Sequence, residues 1–426
     1  MQGQPVPKAF DQNLQPLTWV GSRCCEGVFN QIQNFETGYE FRKRKRKTVD
    51  QSIFQQTVYC IVSNLVMAAL KGWEEGIRIT RSHSKLGKRD RYRTPVLGKK
   101  FPDVIDLMEQ PEMAFLEQQK AEASTEEKRH QSLIFPTKRI WTRINELDLS
   151  VNDFGPGELP EVIILKGRKS DYFDKSGNVP YEDTPDTHRM RSEMTLLNNW
   201  LMNMDIRLSS SDFVIQEKIP TIEINKRKLR RYFSRGDTEF KSGGRLFDGF
   251  WVNMDKRTRN NSIYLNNKET CILDYTAMSP RILYGFSGVT PKDEDAYTIP
   301  GYEQSRDGIK TIFNSMTFTD GPLSRFPKHT KDKFNQSCRI EDVMKAIIKH
   351  HKPIAMYLNT EIGHALMKVE SDIIVKCMLL CMEQDIPVLP IHDALIFPFD
   401  KKHEGTEIMK RVFKEKTGLD GIIKIE

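Results

Sequence analysis

Apolar residues recur at helical spacing from Phe54 through Val58, Ile61, Val62, Leu65 and Val66 to Leu70, which predicts an amphipathic helix over 51–71. A short β-like stretch follows at 76–80, then a basic loop over 81–100 and a second helix near 102–109. Residues 1–50 are polar and read as irregular, and 117–131 reads as an exposed helix or linker. Gly and Pro punctuate 149–160. Residues 161–166 form a strand pattern. Met190, Met194, Leu197 and Leu201 share one face of a helix over 187–204, started by Thr184-Pro185-Asp186. Further on, 270–273 is a buried-type strand ending on Asp274, after which Met278, Ile282, Leu283 and Phe286 switch to helical spacing. Two β-like runs, 386–391 and 394–397, are separated only by His392-Asp393, which predicts a hairpin with Asp393 at its tip.

The chain has 426 residues, enough for two to four domains and a sizeable core without disulfides. Hydrophobic residues make up 38% and charged residues 29%, which excludes collagen-like, low-complexity and multi-span membrane chains. The most apolar run, 59–70, is broken by Ser63 and Asn64, so no membrane span and no membrane partner are expected. The N-terminus lacks a signal pattern. Seven cysteines, none in a CxxC pair, predict a reduced, cytoplasmic protein. Net charge is +7, but 41–100 holds 16 Lys/Arg against 4 Asp/Glu, so the remainder is net acidic at −5. Such a concentrated basic segment suits a polyanion partner, or else a solvated charged face. Its candidate contacts are Arg42, Lys43, Arg44, Lys88, Arg89, Arg91 and Arg93. Helix, strand and basic loop together could form a winged-helix-like unit; an accessory lobe with a charged loop fits better.

Three features carry chemistry. Asp274 ends a strand just before a helix, and Asp393 tips a hairpin. Arg306, Lys310, Asn314 and Phe318 recur every four residues and would form one helical stripe of two cations, an amide and an aromatic. Two carboxylates that share metal, with a cationic rail ending in a stacking aromatic, are the parts nucleotidyl transfer needs.

The order of these pieces resembles a family. LDYTAMSPRILYGFSG resembles the first catalytic motif of family A DNA polymerases, with Asp274, Tyr275 and Arg281 on its Asp, Tyr and Arg. RDGIKTIFNSMTF resembles the second, on the fingers helix, with Arg306 and Lys310 matching and Phe318 at the Tyr position. PIHDALIF resembles the third, matching at His392 and Asp393. Gly244-Arg245 resembles the Gly-Arg element that touches the primer–template, and SDIIVKCM resembles the helix before the third motif. The match covers under half of the chain; the N-terminal 235 residues carry no polymerase or exonuclease motif. The whole chain also resembles uncharacterised phage-associated proteins.

The resemblance implies an α+β fold: a palm-like sheet, short helical fingers over 289–350, a helical thumb-like segment over 184–235 and a mainly helical, basic N-terminal accessory region. The implied domains are 1–150, 151–235 and 236–426. It implies two Mg²⁺ ions, replaceable by Mn²⁺, on Asp274 and Asp393, with His392 orienting the primer end. Arg306, Lys310, Asn314, Ser279, Tyr275 and Phe318 would serve the nucleotide, and Arg245 and Arg281 the nucleic acid. Implied partners are a DNA primer–template and nucleoside triphosphates, in the cytoplasm of a bacterial or phage-infected cell; no protein partner is implied. Where the family has a Glu beside the sugar this chain has Ser279, which implies a roomier site, and Ala394 replaces the Glu after His-Asp as in single-subunit RNA polymerases. RNA polymerase or primase activity on the same palm, or a non-catalytic DNA-binding protein, are the alternative readings.

Overall fold

The computed structural model describes residues 6–39, 42, 44–121, 131–168 and 176–425. They divide into two compact units, one of 1–161 with 211–227, the other of 162–210 with 228–426. These limits differ from boundaries drawn at 150 and 235, because residues 211–227 pack back on the first unit. Both units mix helices with largely antiparallel sheets, an α+β architecture.

In the first unit, strands β1 (Lys8–Ala9), β3 (Ile77–Ile79), β4 (Leu116–Gln119) and β5 (Ser132–Pro136) form a sheet in the order β1-β3-β5-β4, while β2 (Leu14–Pro16) pairs with β6 (Phe154–Pro156). The β-like stretch therefore lies inside a four-stranded sheet, with partners far away in sequence, and is not part of a winged-helix unit. Of the expected exposed helix or linker over 117–131, residues 122–130 lie outside the described residues, and 117–119 belong to a strand instead.

The helix Thr48–Leu70 buries every side chain from Thr57 to Ala69 except Tyr59, so it is a core helix, not an amphipathic one. By length and hydropathy it could cross a membrane, contrary to the sequence expectation, but 72% of its apolar window is buried inside the unit. Its two polar interruptions are satisfied locally: Ser63 Oγ donates to the Tyr59 carbonyl (2.7 Å), and Asn64 Nδ2 to the carbonyls of Cys60 (2.8 Å) and Asp11 (2.9 Å). The supposedly irregular N-terminus holds a helix, Trp19–Gly38. Thr18 caps it by accepting from the Gly21 amide and donates to Asp153 (2.6 Å). Its buried residues are Gly21, Cys24, Cys25, Val28, Phe29, Ile32 and Phe35; in its first half glycine and cysteine stand where larger apolar residues would have announced a helix.

The second unit has two sheets. Strands β7 (Ile163–Leu165), β9 (Arg230–Phe233) and β10 (Gly243–Phe247) run in the order β10-β9-β7. The larger sheet has the order β13-β14-β12-β11-β8, built from β8 (Ile206–Leu208), β11 (Ile263–Leu265), β12 (Lys268–Tyr275), β13 (Leu389–Ile391) and β14 (Ala394–Pro398). The C-terminal strand β15 (Ile423–Ile425) joins β12 on the edge opposite β14. Helices Pro185–Asn203, Lys256–Ser262, Met278–Ser287, Arg306–Phe318, Ile340–His350, Gly363–Glu383 and Lys402–Thr417 also belong to this unit. Thr184 and Thr187 form a reciprocal capping box at the first of them.

Candidate functional site

Strand β12 alternates its faces. Leu273 and Tyr275 are buried, while Asp274 on the opposite face is half-buried. The Tyr275 hydroxyl donates to the Met409 carbonyl (2.7 Å), and its ring packs on Phe413 (5.3 Å). Tyr275 is thus a core residue, and its assignment to a nucleotide site is corrected: strand alternation turns it away from its neighbour Asp274.

Asp274 pairs in register with Ala394 of β14. The β13–β14 hairpin closes at Ile391 and Ala394, leaving His392 and Asp393 as its two-residue turn. His392 takes φ +52, as such a turn requires. The turn therefore sets Asp393 one residue from the direct partner of Asp274. The His392 ring meets Phe247 edge-on (5.7 Å). Desolvation, then the Arg245 guanidinium, lowers its pKa below the ordinary histidine range.

On Arg306–Phe318, Arg306 is bound to Asp295 (Nε–Oδ2 2.5 Å, Nη2–Oδ1 3.1 Å). Arg306 and Lys310 both lie over the Tyr297 ring, at 5.7 and 5.9 Å. Tyr297 is buried, and its hydroxyl pKa is raised by burial first, then by the Glu370 and Asp393 carboxylates. One buried ring therefore carries both cations of the stripe. Sequence reasoning missed Tyr297; an isolated Tyr in a polar loop gives no periodic signal. Asn314 is half-buried on the same helix. Phe318 is 43% exposed and meets His364 edge-on (5.2 Å). It also packs on Gly363, where any Cβ would fall 2.8 Å from the ring.

Gly244-Arg245 and the 363–383 helix, separate motifs in sequence, are bolted together. Gly243 and Gly244 have φ +87 and +93 at a register shift between β9 and β10, a bend that suits glycine. Ser371 Oγ and Arg231 Nε donate to the Gly244 carbonyl. Asp372 pairs with buried Arg231 (2.5 Å). Glu370, 3% exposed, accepts from Arg245 Nη2 (2.8 Å) and from Ser279 Oγ (2.7 Å). The Ser279 hydroxyl is therefore engaged by a carboxylate from another helix. Glu370 had no sequence signal, since it precedes the SDIIVKCM stretch by one residue.

Arg281 is also corrected. It is buried, and its Nη1 donates to the Asp420 carbonyl (3.1 Å). Desolvation lowers its pKa. A guanidinium so enclosed anchors the C-terminal segment rather than reaching nucleic acid.

The basic candidates of the N-terminal region lie in the first unit. Arg42, Arg44, Lys88 and Arg89 are exposed; Lys43 lies outside the described residues. Arg46, from the same basic run, is instead engaged by Glu36 (2.5 Å) and sits over Phe54 (3.6 Å). Arg91 pairs with Glu161 (3.3 Å), and Arg93 donates to the Lys85 carbonyl (2.7 Å).

One carboxylate at the end of β12 and one in the adjoining hairpin turn are hard oxygen donors of the kind Mg²⁺ and Mn²⁺ take, with water or substrate completing the shell. Among the described residues no group of three or more His, Cys, Asp or Glu converges as a closed metal cage.

No family model matches the chain, and no curated protein matches it. Among solved structures, the POL domain of Pol1 from M. smegmatis in complex with DNA primer-template and dNTP is similar at a TM-score of 0.31 and 9% identity, over 88% of this chain. The chain spans 65% of that one's length.

Proposed function

We propose that the second unit is a template-directed nucleotidyltransferase of the family A polymerase type, extending a primer 3′-hydroxyl. The observation that carries this reading is the β12–β14 register, which sets Asp274 beside the Asp393 turn, together with Arg306 and Lys310 sharing the Tyr297 ring. In this reading β12 and β14 belong to the palm, the helices within 289–350 are short fingers, and 184–235 includes the thumb-like segment. Asp274 and Asp393 would hold two Mg²⁺ ions, or Mn²⁺, which when bound acidify the primer hydroxyl and neutralise the departing pyrophosphate. Lys310 and Arg306 take the triphosphate oxygens, Phe318 offers a stacking face to the new base pair, and His392 orients the primer end. Binding nucleic acid alone does not require paired carboxylates, which favours catalysis over a purely binding role.

The test is extension of a primed template with labelled dNTPs and, separately, NTPs, in Mg²⁺ and in Mn²⁺. Wild type should extend. Asp274→Ala and Asp393→Ala should each lose about 100-fold or more in rate while keeping the fold and DNA binding, a loss at least that of one oxyanion donor. Near-normal extension by either variant overturns the assignment.

A further inference from the structure

The strand that carries Asp274 has a second neighbour besides β14. On its other edge lies β15, in the register Leu273 with Ile425, Asp274 with Lys424 and Tyr275 with Ile423. Residues directly opposite in an antiparallel pair project from the same face, their Cβ atoms about 4.5–5.5 Å apart. One row across the sheet therefore reads Lys424, Asp274, Ala394. Lys424 is exposed and Asp274 half-buried, so solvent reaches this row. The register is pinned from several sides. The Thr276 amide donates to the Ile422 carbonyl (2.9 Å), and Arg281 holds the Asp420 carbonyl. Gly421 lies against Phe413 and Tyr275, where a Cβ would come within 3.1–3.2 Å.

From this geometry we infer that Lys424 is a positioning residue of the candidate site: its ammonium is the counter-cation of Asp274 when no divalent cation is bound, and it sets the cation concentration at which the site fills. The inference rests on the reading of Asp274 as a metal ligand. An exposed cross-strand pair adds little stability. A divalent ion arriving at Asp274, however, meets a unit positive charge within one side-chain length. At about 6 Å in water, the repulsion between +2 and +1, reduced by physiological salt, corresponds to about threefold to tenfold in affinity. The C-terminal strand thereby supplies a charge that the hairpin side, with Ala394 at the matching position, does not.

The experiment measures Mn²⁺ binding to the full chain by calorimetry and by the free-ion paramagnetic resonance signal, without turnover. Lys424→Met should tighten binding about threefold to tenfold. Lys424→Arg should match wild type, because it keeps the charge. Lys401→Met, which removes a lysine elsewhere in the same unit, should change nothing. In an Asp274→Asn background, Lys424→Met should also have no effect. If Lys424→Met binds as wild type does while Asp274→Asn loses binding, the Lys424 inference is overturned and the metal reading stands. If Asp274→Asn binds Mn²⁺ as wild type does, the metal reading fails and takes this inference with it.

Discussion

Glu370→Gln is the most informative single change. The substitution keeps the volume of the side chain but removes its charge, and one of its two acceptor oxygens becomes an amide donor. In the native site both oxygens are used, Oε1 by Ser279 and Oε2 by Arg245. With its amide N–H toward Ser279, whose hydroxyl can accept, and its oxygen toward Arg245, both hydrogen bonds can be kept, so the loss is that of the charge facing the Arg245 guanidinium. Breaking a buried charge pair by removing one partner costs about 3–5 kcal/mol. The Arg245 side chain is 28% exposed and can recruit water, so the lower end, about 3 kcal/mol, applies here. For a unit of this size each kcal/mol moves Tm by roughly 2–4 °C, so a loss of about 6–12 °C is expected. The assay is urea unfolding with a double-mutant cycle over Glu370→Gln and Arg245→Met. Coupling of about 1–3 kcal/mol should appear, because the double mutant leaves no stranded guanidinium. A Glu370→Gln variant within about 0.5 kcal/mol of wild type, or strict additivity in the cycle, refutes the reasoning. The same network bears on Ser279→Glu: it sets a second carboxylate against Glu370, so destabilisation is expected rather than a gain in sugar discrimination.

Lys310→Ala should weaken nucleotide use more than template binding and leave Tm nearly unchanged, since Lys310 is exposed; Arg306→Ala should also loosen the 293–306 loop by freeing Asp295, which a proteolysis time course reads. His351 is buried, with Nδ1 against the Tyr284 hydroxyl (3.1 Å) and Nε2 against the Ala296 carbonyl (2.8 Å), and burial lowers its pKa to about 4. The folded value lies below the unfolded one of about 6.5, so its contribution is complete above pH 6.5 and is lost as pH falls toward 4, by about 3 kcal/mol in all. His351→Gln should flatten that part of the stability–pH curve, and an unchanged slope argues against it. In the first unit, neutralising Lys88 and Arg89 should lower the log–log salt slope of DNA binding by roughly 0.9 for each phosphate they neutralise in the wild type. Neutralising Arg91 should do less to the slope and more to stability, because Glu161 is left buried without it.

Much of this site is written in local sequence. Strand β12 and the hairpin follow from short apolar runs and a two-residue turn, and the Pro185–Asn203 helix begins at its Thr184 cap. Such features depend on neighbours a few positions away, so the chain itself displays them. The spacing of Arg306, Lys310 and Phe318 is legible for the same reason. Pairing across long separations is not. That Asp274 meets Ala394 on one edge and Lys424 on the other is a matter of register, and a slip of one residue would turn Asp274 into the core. Identical chemistry also acquires opposite fates through burial. Arg306 faces Tyr297 and is held by Asp295, whereas Arg281 is enclosed at the Asp420 carbonyl, and nothing in the local sequence of either distinguishes them. Glu370 is the clearest case. A charged residue on a helix reads as solvent-facing, and only the convergence of Ser279 and Arg245, 91 and 125 residues away, offsets the cost of burying it.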